Sequence, residues 1–421
     1  MIKTQSKLFK TLGIYTFSNI LNAAIPFFLL PILTTYLSPS DYALIDLFQA
    51  AVQFTIAIIG LNAFSALSRF YFENDNKNFK EYTGNSFIIL LISSIIIMAL
   101  TLLFKTNLEN LLKIPRNWIW LIVIYAFCLN IIQTQLTIWQ VTFQATKYSI
   151  FRILRTFFDI ALSIGFIVVL EYNWKGRILG QIISVSIFAL LAIILLLKNN
   201  AVNFNFQFSK IKKLLNYGSP LILHILGAVI ITYSDRVFIA NYLGLKSTGI
   251  YAVGYQIGMI IYLIETSFNQ AWVPWLFEKL KRNDILEKIK IVKFTYLYFV
   301  GIMVLALTVA IISPYIYKLF ISSNYISGLK IVIWIAIGFA FDGIYKMVVN
   351  YIFYIKKTYI ISIITIFTAC LNLLLNYFMV NNYGAVGVAQ ATTISFFTEF
   401  LIVWIISARL YRMPWIYKKI K

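Results

Sequence analysis

Eleven ionisable side chains stand inside otherwise apolar stretches of this 421-residue chain: Asp46, Arg69, Arg155, Asp159, His224, Asp235, Arg236, Glu265, Asp342, Lys346 and Glu399. Deep in an apolar environment each needs a partner or water, because an ionised group at the centre of a bilayer costs about 2.5–3.5 kcal/mol on insertion scales. Arg155 and Asp159 are four residues apart, as are Asp342 and Lys346, so each couple can pair along one helix face. Asp235 and Arg236 are adjacent and point about 100° apart on a helix. They cannot pair as neatly, and at least one is expected to reach another helix or a cavity. Glu265 and Glu399 have no opposite charge within a turn of their own helix. Each is protonated, paired across helices or cavity-lining. Arg69 at a helix end can snorkel, Asp46 can face water, and His224 reads as a hydrogen-bonded core residue. Uncharged polar residues cluster too: Asn19 and Asn22, then Asn130, Gln133, Gln135, Gln140 and Gln144, then Gln256, Asn269 and Gln270. They can tie helices together or line a wet cavity.

The elements that carry these residues are long apolar runs. The chain is 61% hydrophobic and 12% charged, against about 25% charged in soluble domains, and apolar runs of span length recur from end to end. This pattern predicts an all-α polytopic membrane protein. A transmembrane β-barrel would show short alternating segments instead. We expect twelve helices, at about 11–36, 42–70, 82–104, 117–141, 152–170 and 176–197, then 214–240, 248–276, 291–313, 328–355, 358–380 and 386–411. The basic N-terminus leads into an apolar run too long for a signal-peptide core, so it reads as an uncleaved first span.

Net charge is +21, but the basic residues sit in short loops between the apolar runs. With both termini cytoplasmic, 25 Lys and Arg fall on that side and 8 on the other, which sets the orientation by the positive-inside bias and argues against nucleic-acid binding. Cys128 and Cys370 lie within apolar runs and read as small core residues, and a single histidine disfavours a histidine metal centre or catalytic triad.

The chain also restarts near its middle. Tyr36-Leu37 and Tyr242-Leu243 are 206 residues apart, and Phe72-Glu73 and Phe277-Glu278 are 205 apart. Lys147-Tyr148 and Thr358-Tyr359, and Gly176 and Gly387, share an offset of 211. The expected organisation is a six-helix bundle over 1–197, a cytoplasmic linker over 198–213 and a second six-helix bundle over 214–421. Six helices per half make the repeats parallel, about an axis along the membrane normal.

The run SDRVFIANYLGLKSTGIYAVGYQIG (234–258), its counterpart LLPILTTYLSPSDYALIDLFQA (29–50) and RFYFE (69–73) resemble the polysaccharide-export flippases (the Wzx-type O-antigen translocases) of the multidrug/oligosaccharidyl-lipid/polysaccharide exporter superfamily. The resemblance implies two six-helix bundles around a central cavity, lined by helices 1, 2, 7 and 8. It also implies movement of a polyprenyl-diphosphate-linked oligosaccharide, an O-antigen or other surface-polysaccharide repeat unit, across the bacterial cytoplasmic membrane by alternating access. Lipid II flippases of that superfamily resemble the chain less, since they carry arginines in helix 1 and here no charge stands between Lys10 and Tyr36.

On that reading the cavity residues are Arg236, Asp235, Lys346, Arg69, Glu265, Asn19, Asn22 and Gln256. Arg236 is the first choice for phosphate, because a guanidinium binds phosphate in a bidentate way. Lys346 and Arg69 are the second. Asp342 and Glu399 are candidates for coupling to a cation, H+ or Na+, as in the rival reading of a multidrug antiporter; no other cofactor is expected. The partners expected are the lipid-linked oligosaccharide, membrane lipids, and polymerase and chain-length proteins of the same pathway. A membrane glycan polymerase or ligase would call for a long external loop with catalytic charges, and every outer loop here is short.

Overall fold

In the computed structural model, described for residues 25, 27–73, 79–282 and 284–415, every regular element is helical. The chain divides into two compact units, Met1–Val229 and Ile230–Lys421. The division falls inside helix α9 (Phe208–Tyr242) rather than in the segment 198–213 that separates the predicted bundles.

The first unit begins with α1 (Phe27–Tyr36) and α2 (Pro39–Ile58). Between them the sequence Ser38-Pro39-Ser40-Asp41 starts α2 with a capping box. The Asp41 amide donates to the Ser38 hydroxyl oxygen, the Asp41 carboxylate accepts from the Ser38 amide, and Pro39 occupies a first-turn position that needs no N–H. A tight turn over Ile59–Asn62, with Gly60, Leu61 and Asn62 at positive φ, separates α2 from α3 (Ala63–Glu73). The unit continues with α4 (Phe79–Leu103), the short α5 (Lys105–Leu112), α6 (Arg116–Val141), α7 (Ala145–Ile164), extended by a wider turn over Gly165–Val169, and α8 (Asn173–Lys198). Its core joins Leu67, Phe70, Tyr82, Ile138 and Leu196 with Leu214 of α9.

The second unit holds the end of α9, α10 (Gly244–Gly258), α11 (Ile260–Arg282), α12 (Ile285–Phe320), α13 (Leu329–Tyr354) and α14 (Thr358–Leu410). Gly254 and Gly258 form a small-xxx-small face on α10. A Cβ at Gly254 would stand 2.4 Å from the Gly328 carbonyl oxygen, and one at Gly258 would stand 2.8 Å from Ile335 Cβ. The missing side chains let α10 lie directly against α13.

Nine helical segments among the described residues are long and apolar enough to cross a membrane. These nine segments cover ten of the twelve predicted spans. The first runs from α1 back into residues outside the description, the fifth is α7 with its charges, and the last two are the halves of α14, which breaks at Gly384. Outward faces are apolar, as at Ile92, Ile95, Ile96 and Leu103 of α4, each more than half exposed. Such surface belongs in hydrocarbon.

In each unit the predicted second span is interrupted, at Ile59–Asn62 and at Met259. The last turn of each unit rests on a left-handed residue 211 positions apart, Asn173 (φ 50°) and Gly384 (φ 61°, ψ −146°). The Gly384 conformation is open almost only to glycine. Gly384→Ala should lower stability by about 1–3 kcal/mol, whereas Gly301→Ala, where an added Cβ meets nothing within 4 Å, should be neutral or stabilising. Unfolding midpoints of the two variants in detergent check this.

Candidate functional site

The buried charges of the second unit gather into two clusters. In the first, Asp235 on α9 is fully buried, and its carboxylate accepts three hydrogen bonds: from the Tyr251 hydroxyl (2.5 Å), the Thr392 hydroxyl (2.8 Å) and the Asn376 amide (2.9 Å). The Asn376 amide also reaches Asn372 Oδ1 (3.1 Å), which accepts in addition from the Ser234 hydroxyl (3.1 Å). Asn372 in turn donates to Ser395. So α9, α10 and both halves of α14 meet on one carboxylate. Arg236, the neighbour, is 3% exposed and turns away. Its guanidinium lies 3.8 Å from the centroid of Tyr255, within 6 Å of Tyr233 and Tyr251, and donates to the Thr232 carbonyl. A cation over three tyrosine faces is held by their quadrupoles and by exclusion of water. The first choice for a phosphate contact is therefore a packed residue.

In the second cluster, Lys346 on α13 reaches two carboxylates. Its Nζ lies 2.5 Å from Glu265 Oε1 on α11 and 2.9 Å from Asp342 Oδ2 one turn back. It also lies 3.4 Å from the Thr266 hydroxyl and 4.8 Å from the centre of Tyr262. Glu265 is fully buried, and its Oε2 has no hydrogen-bond partner among the described residues. Lys346 and Asp342 keep 21% and 14% of their side chains exposed, so this cluster opens outward where the first does not. Gly343 permits the close approach of α11 and α13, since a Cβ there would stand 3.0 Å from Glu265 Cβ. Asn350, one turn beyond Lys346, donates to Asn269 of α11 and extends the same seam.

The remaining predicted residues lie elsewhere. Glu399 is buried on α14 and accepts from Thr365 (3.1 Å). Gln256 is half-buried on α10. Arg69, in the first unit, is exposed, with its guanidinium 5.1 Å from the Tyr217 ring centre. Asn19 and Asn22 lie outside the described residues. Asp159 pairs with Arg177 on α8 (2.7 Å), with the Ser163 hydroxyl alongside, rather than with its helix-mate Arg155. Arg177 is 9% exposed inside α8.

Residues missed by sequence reasoning are Tyr251, Asn372, Asn376, Thr392 and Arg177. Asn372 and Asn376 carried a readable signal, since two asparagines four apart in an apolar run form a polar couple on one helix face. Asn376 Oδ1 is buried without a partner among the described residues. Its amide nitrogen faces the Asp235 carboxylate and Asn372 Oδ1, with the Thr392 hydroxyl on the same carboxylate.

Residues 8–279 match the polysaccharide biosynthesis protein family. The chain is 27% identical over 377 residues, 87% of its own length and 89% of the other's, to a protein of Haemophilus influenzae known only as an uncharacterized membrane protein. Among solved structures it is similar to an inward-facing multidrug resistance MATE family transporter of the MOP superfamily (TM-score 0.72, 16% identity, 93% of this chain and 94% of the other covered). It is equally similar to the lipid II flippase MurJ in an inward closed conformation (TM-score 0.72, 16% identity, 96% and 87% covered). The predicted all-α fold is therefore the fold of the chain, shared with these structures.

Removing one member of the Lys346 cluster strands the others. Lys346→Met alone should cost about 2–3 kcal/mol, below the range for a fully buried pair because the lysine is partly exposed. Adding Glu265→Gln and Asp342→Asn should recover most of that loss. Denaturant titration in detergent would show it, and a triple variant as unstable as the single one would refute the pairing.

Proposed function

The chain belongs to the polysaccharide biosynthesis protein family, and we propose that it carries a polyprenyl-diphosphate-linked oligosaccharide, an O-antigen or other surface-polysaccharide repeat unit, from the cytoplasmic to the outer leaflet by alternating access. Family membership and the likeness to a fold shared with a lipid II flippase support this reading. The observation that carries it is the Lys346 cluster, a partly exposed lysine on a membrane helix, its ammonium held by two carboxylates. An ammonium binds phosphate as a point charge with three freely rotating donors. A diphosphate arriving there would compete with Glu265 and Asp342 for the same cation. Lys346 thus takes the phosphate role ahead of Arg236, whose stacking on Tyr255 suits it to holding α9 against α10.

Coupling belongs to the first cluster. A coupling Na+ would be held by Asp235, Asn372, Asn376 and Thr392, where it would neutralise the buried carboxylate and take up the unpartnered Asn376 oxygen. That oxygen set also favours a second reading, a cation-coupled multidrug antiporter, in line with the likeness to MATE structures. The readings separate in a deletion strain. Loss of surface polysaccharide with unchanged drug susceptibility supports the flippase, and the reverse supports the antiporter.

In that strain the triple variant Glu265→Gln/Asp342→Asn/Lys346→Met should insert normally and restore less than a tenth of wild-type polysaccharide. Full restoration would remove the cluster from the mechanism. Asp235→Asn should lower transport in proteoliposomes several-fold and abolish any stimulation by Na+. An unchanged sodium response would place coupling elsewhere.

A further inference from the structure

The first unit holds a row of three cavities along one face of α6 that the transport reading does not use. Ile124, Phe127, Ile131, Gln135, Ile138 and Thr142 recur at spacings of three or four and line them in succession. The two inner cavities, of about 410 and 220 Å³, share Leu91 of α4 and Phe127 of α6 and are walled almost wholly by apolar side chains. Along α4 they run from Phe87 to Leu102, about 22 Å at 1.5 Å per residue. That exceeds the roughly 15 Å depth of one leaflet's hydrocarbon, so a whole acyl chain fits.

The third cavity, of about 330 Å³, lies a turn further along α6, shares no lining residue with the other two and changes character. Lys80 and Lys147 stand at it, with Gln144, Asn199 and Asn200, and no carboxylate is among its described lining residues. It sits at the amino end of α7, where Gln144 is the N-cap and the helix dipole favours an anion. Gln135, only 2% exposed, is among its lining residues, and its buried Oε1 accepts from no described residue. Buried side-chain oxygens are normally paired, so this one is open to a further donor.

We propose that this row is a binding site for an anionic phospholipid whose headgroup carries hydroxyl donors, with phosphatidylglycerol as the chemical type. The phosphate is taken by Lys80 and Lys147, a headgroup hydroxyl donates to Gln135 Oε1, and one acyl chain lies along α4 and α6. Basic pockets between helices at the positive-inside face are where anionic headgroups bind. A zwitterionic ethanolamine or choline head would bring its own cation against two lysines with no carboxylate among the described lining residues to receive it. A cavity of about 330 Å³ holds a glycerophosphate head and is too small for an oligosaccharide.

The test uses the full-length protein in detergent, with native mass spectrometry and competition against a fluorescent phosphatidylglycerol. Dioleoyl phosphatidylglycerol should bind at least tenfold more tightly than dioleoyl phosphatidylcholine. Lys80→Gln/Lys147→Gln should erase that preference while leaving phosphatidylcholine binding and the unfolding midpoint unchanged. Both lysine side chains are exposed, so the fold should tolerate the change. If the double variant misfolds, each single substitution should weaken phosphatidylglycerol about threefold. Gln135→Leu should weaken phosphatidylglycerol, and leave dioleoyl phosphatidic acid, which lacks the glycerol hydroxyls, unaffected. Equal affinity for the two phospholipids, or full retention by the lysine variants, overturns the proposal. Glycerol phosphate binding as tightly as the lipid would make this a plain phosphate site. A polyprenyl phosphate displacing the probe at lower concentration than phosphatidylglycerol would hand the site to the transported lipid.

Discussion

A carboxylate buried among membrane helices has no water to solvate it, so its partners must come from other helices, and those helices must approach to hydrogen-bonding distance. Much of the second unit follows from this demand at Asp235 and Glu265. Asp235 draws Tyr251 from α10, Asn376 from the first half of α14 and Thr392 from the second. Glu265 draws Lys346 from α13. The small residues Gly254, Gly258 and Gly343 stand where those helices close on one another. Helix–helix polar contacts in a membrane are individually modest, averaging about 0.6 kcal/mol. Their role here is to fix which faces meet.

The two clusters are joined by an aromatic ring. Phe339 of α13 lies 5.7 Å from Tyr255, the ring that carries Arg236, and 5.3 Å from Tyr262, the ring nearest Lys346. A shift of α13 that moved Lys346 would therefore press on the packing that holds Arg236. Cores at close-packed density transmit such strain rather than absorb it. Dense aromatic contact continues toward the α11–α12 seam through Phe268, Trp272 and Tyr298.

The helices were legible in the sequence because apolar length is a local property, and so were the positions of the charges. Partners were not. The four-residue spacing of Arg155 and Asp159 suggested a pair, but Arg177 competes from the next helix with two nitrogens facing the carboxylate. Asp342 and Lys346 do pair as their spacing allows, yet the shorter contact of Lys346 is with Glu265, eighty-one residues away. A one-dimensional pattern reports who shares a helix face and says nothing of which face a neighbour presents. Tyr251 and Thr392 show the same gap, since nothing in a lone tyrosine or threonine marks it as the ligand of a buried acid.

The interrupted helix of the first unit bears on the contrast between the halves. Where Asp235 charges the second unit through a side chain, α2 and α3 break near the middle of their 34-residue run, and the Gly60 amide leaves the helical ladder for the Ser93 hydroxyl (2.8 Å). The end of one helix and the beginning of another thus meet inside the bundle, each worth about half an elementary charge of opposite sign. That is an electric dipole built from peptide groups alone. It needs no counter-ion, does not titrate between acid and alkaline pH, and survives any side-chain substitution that preserves the turn. At this turn the first unit carries polarity of a permanent kind, unlike the Asp235 and Lys346 clusters, whose polarity a proton, a cation or an anion can alter.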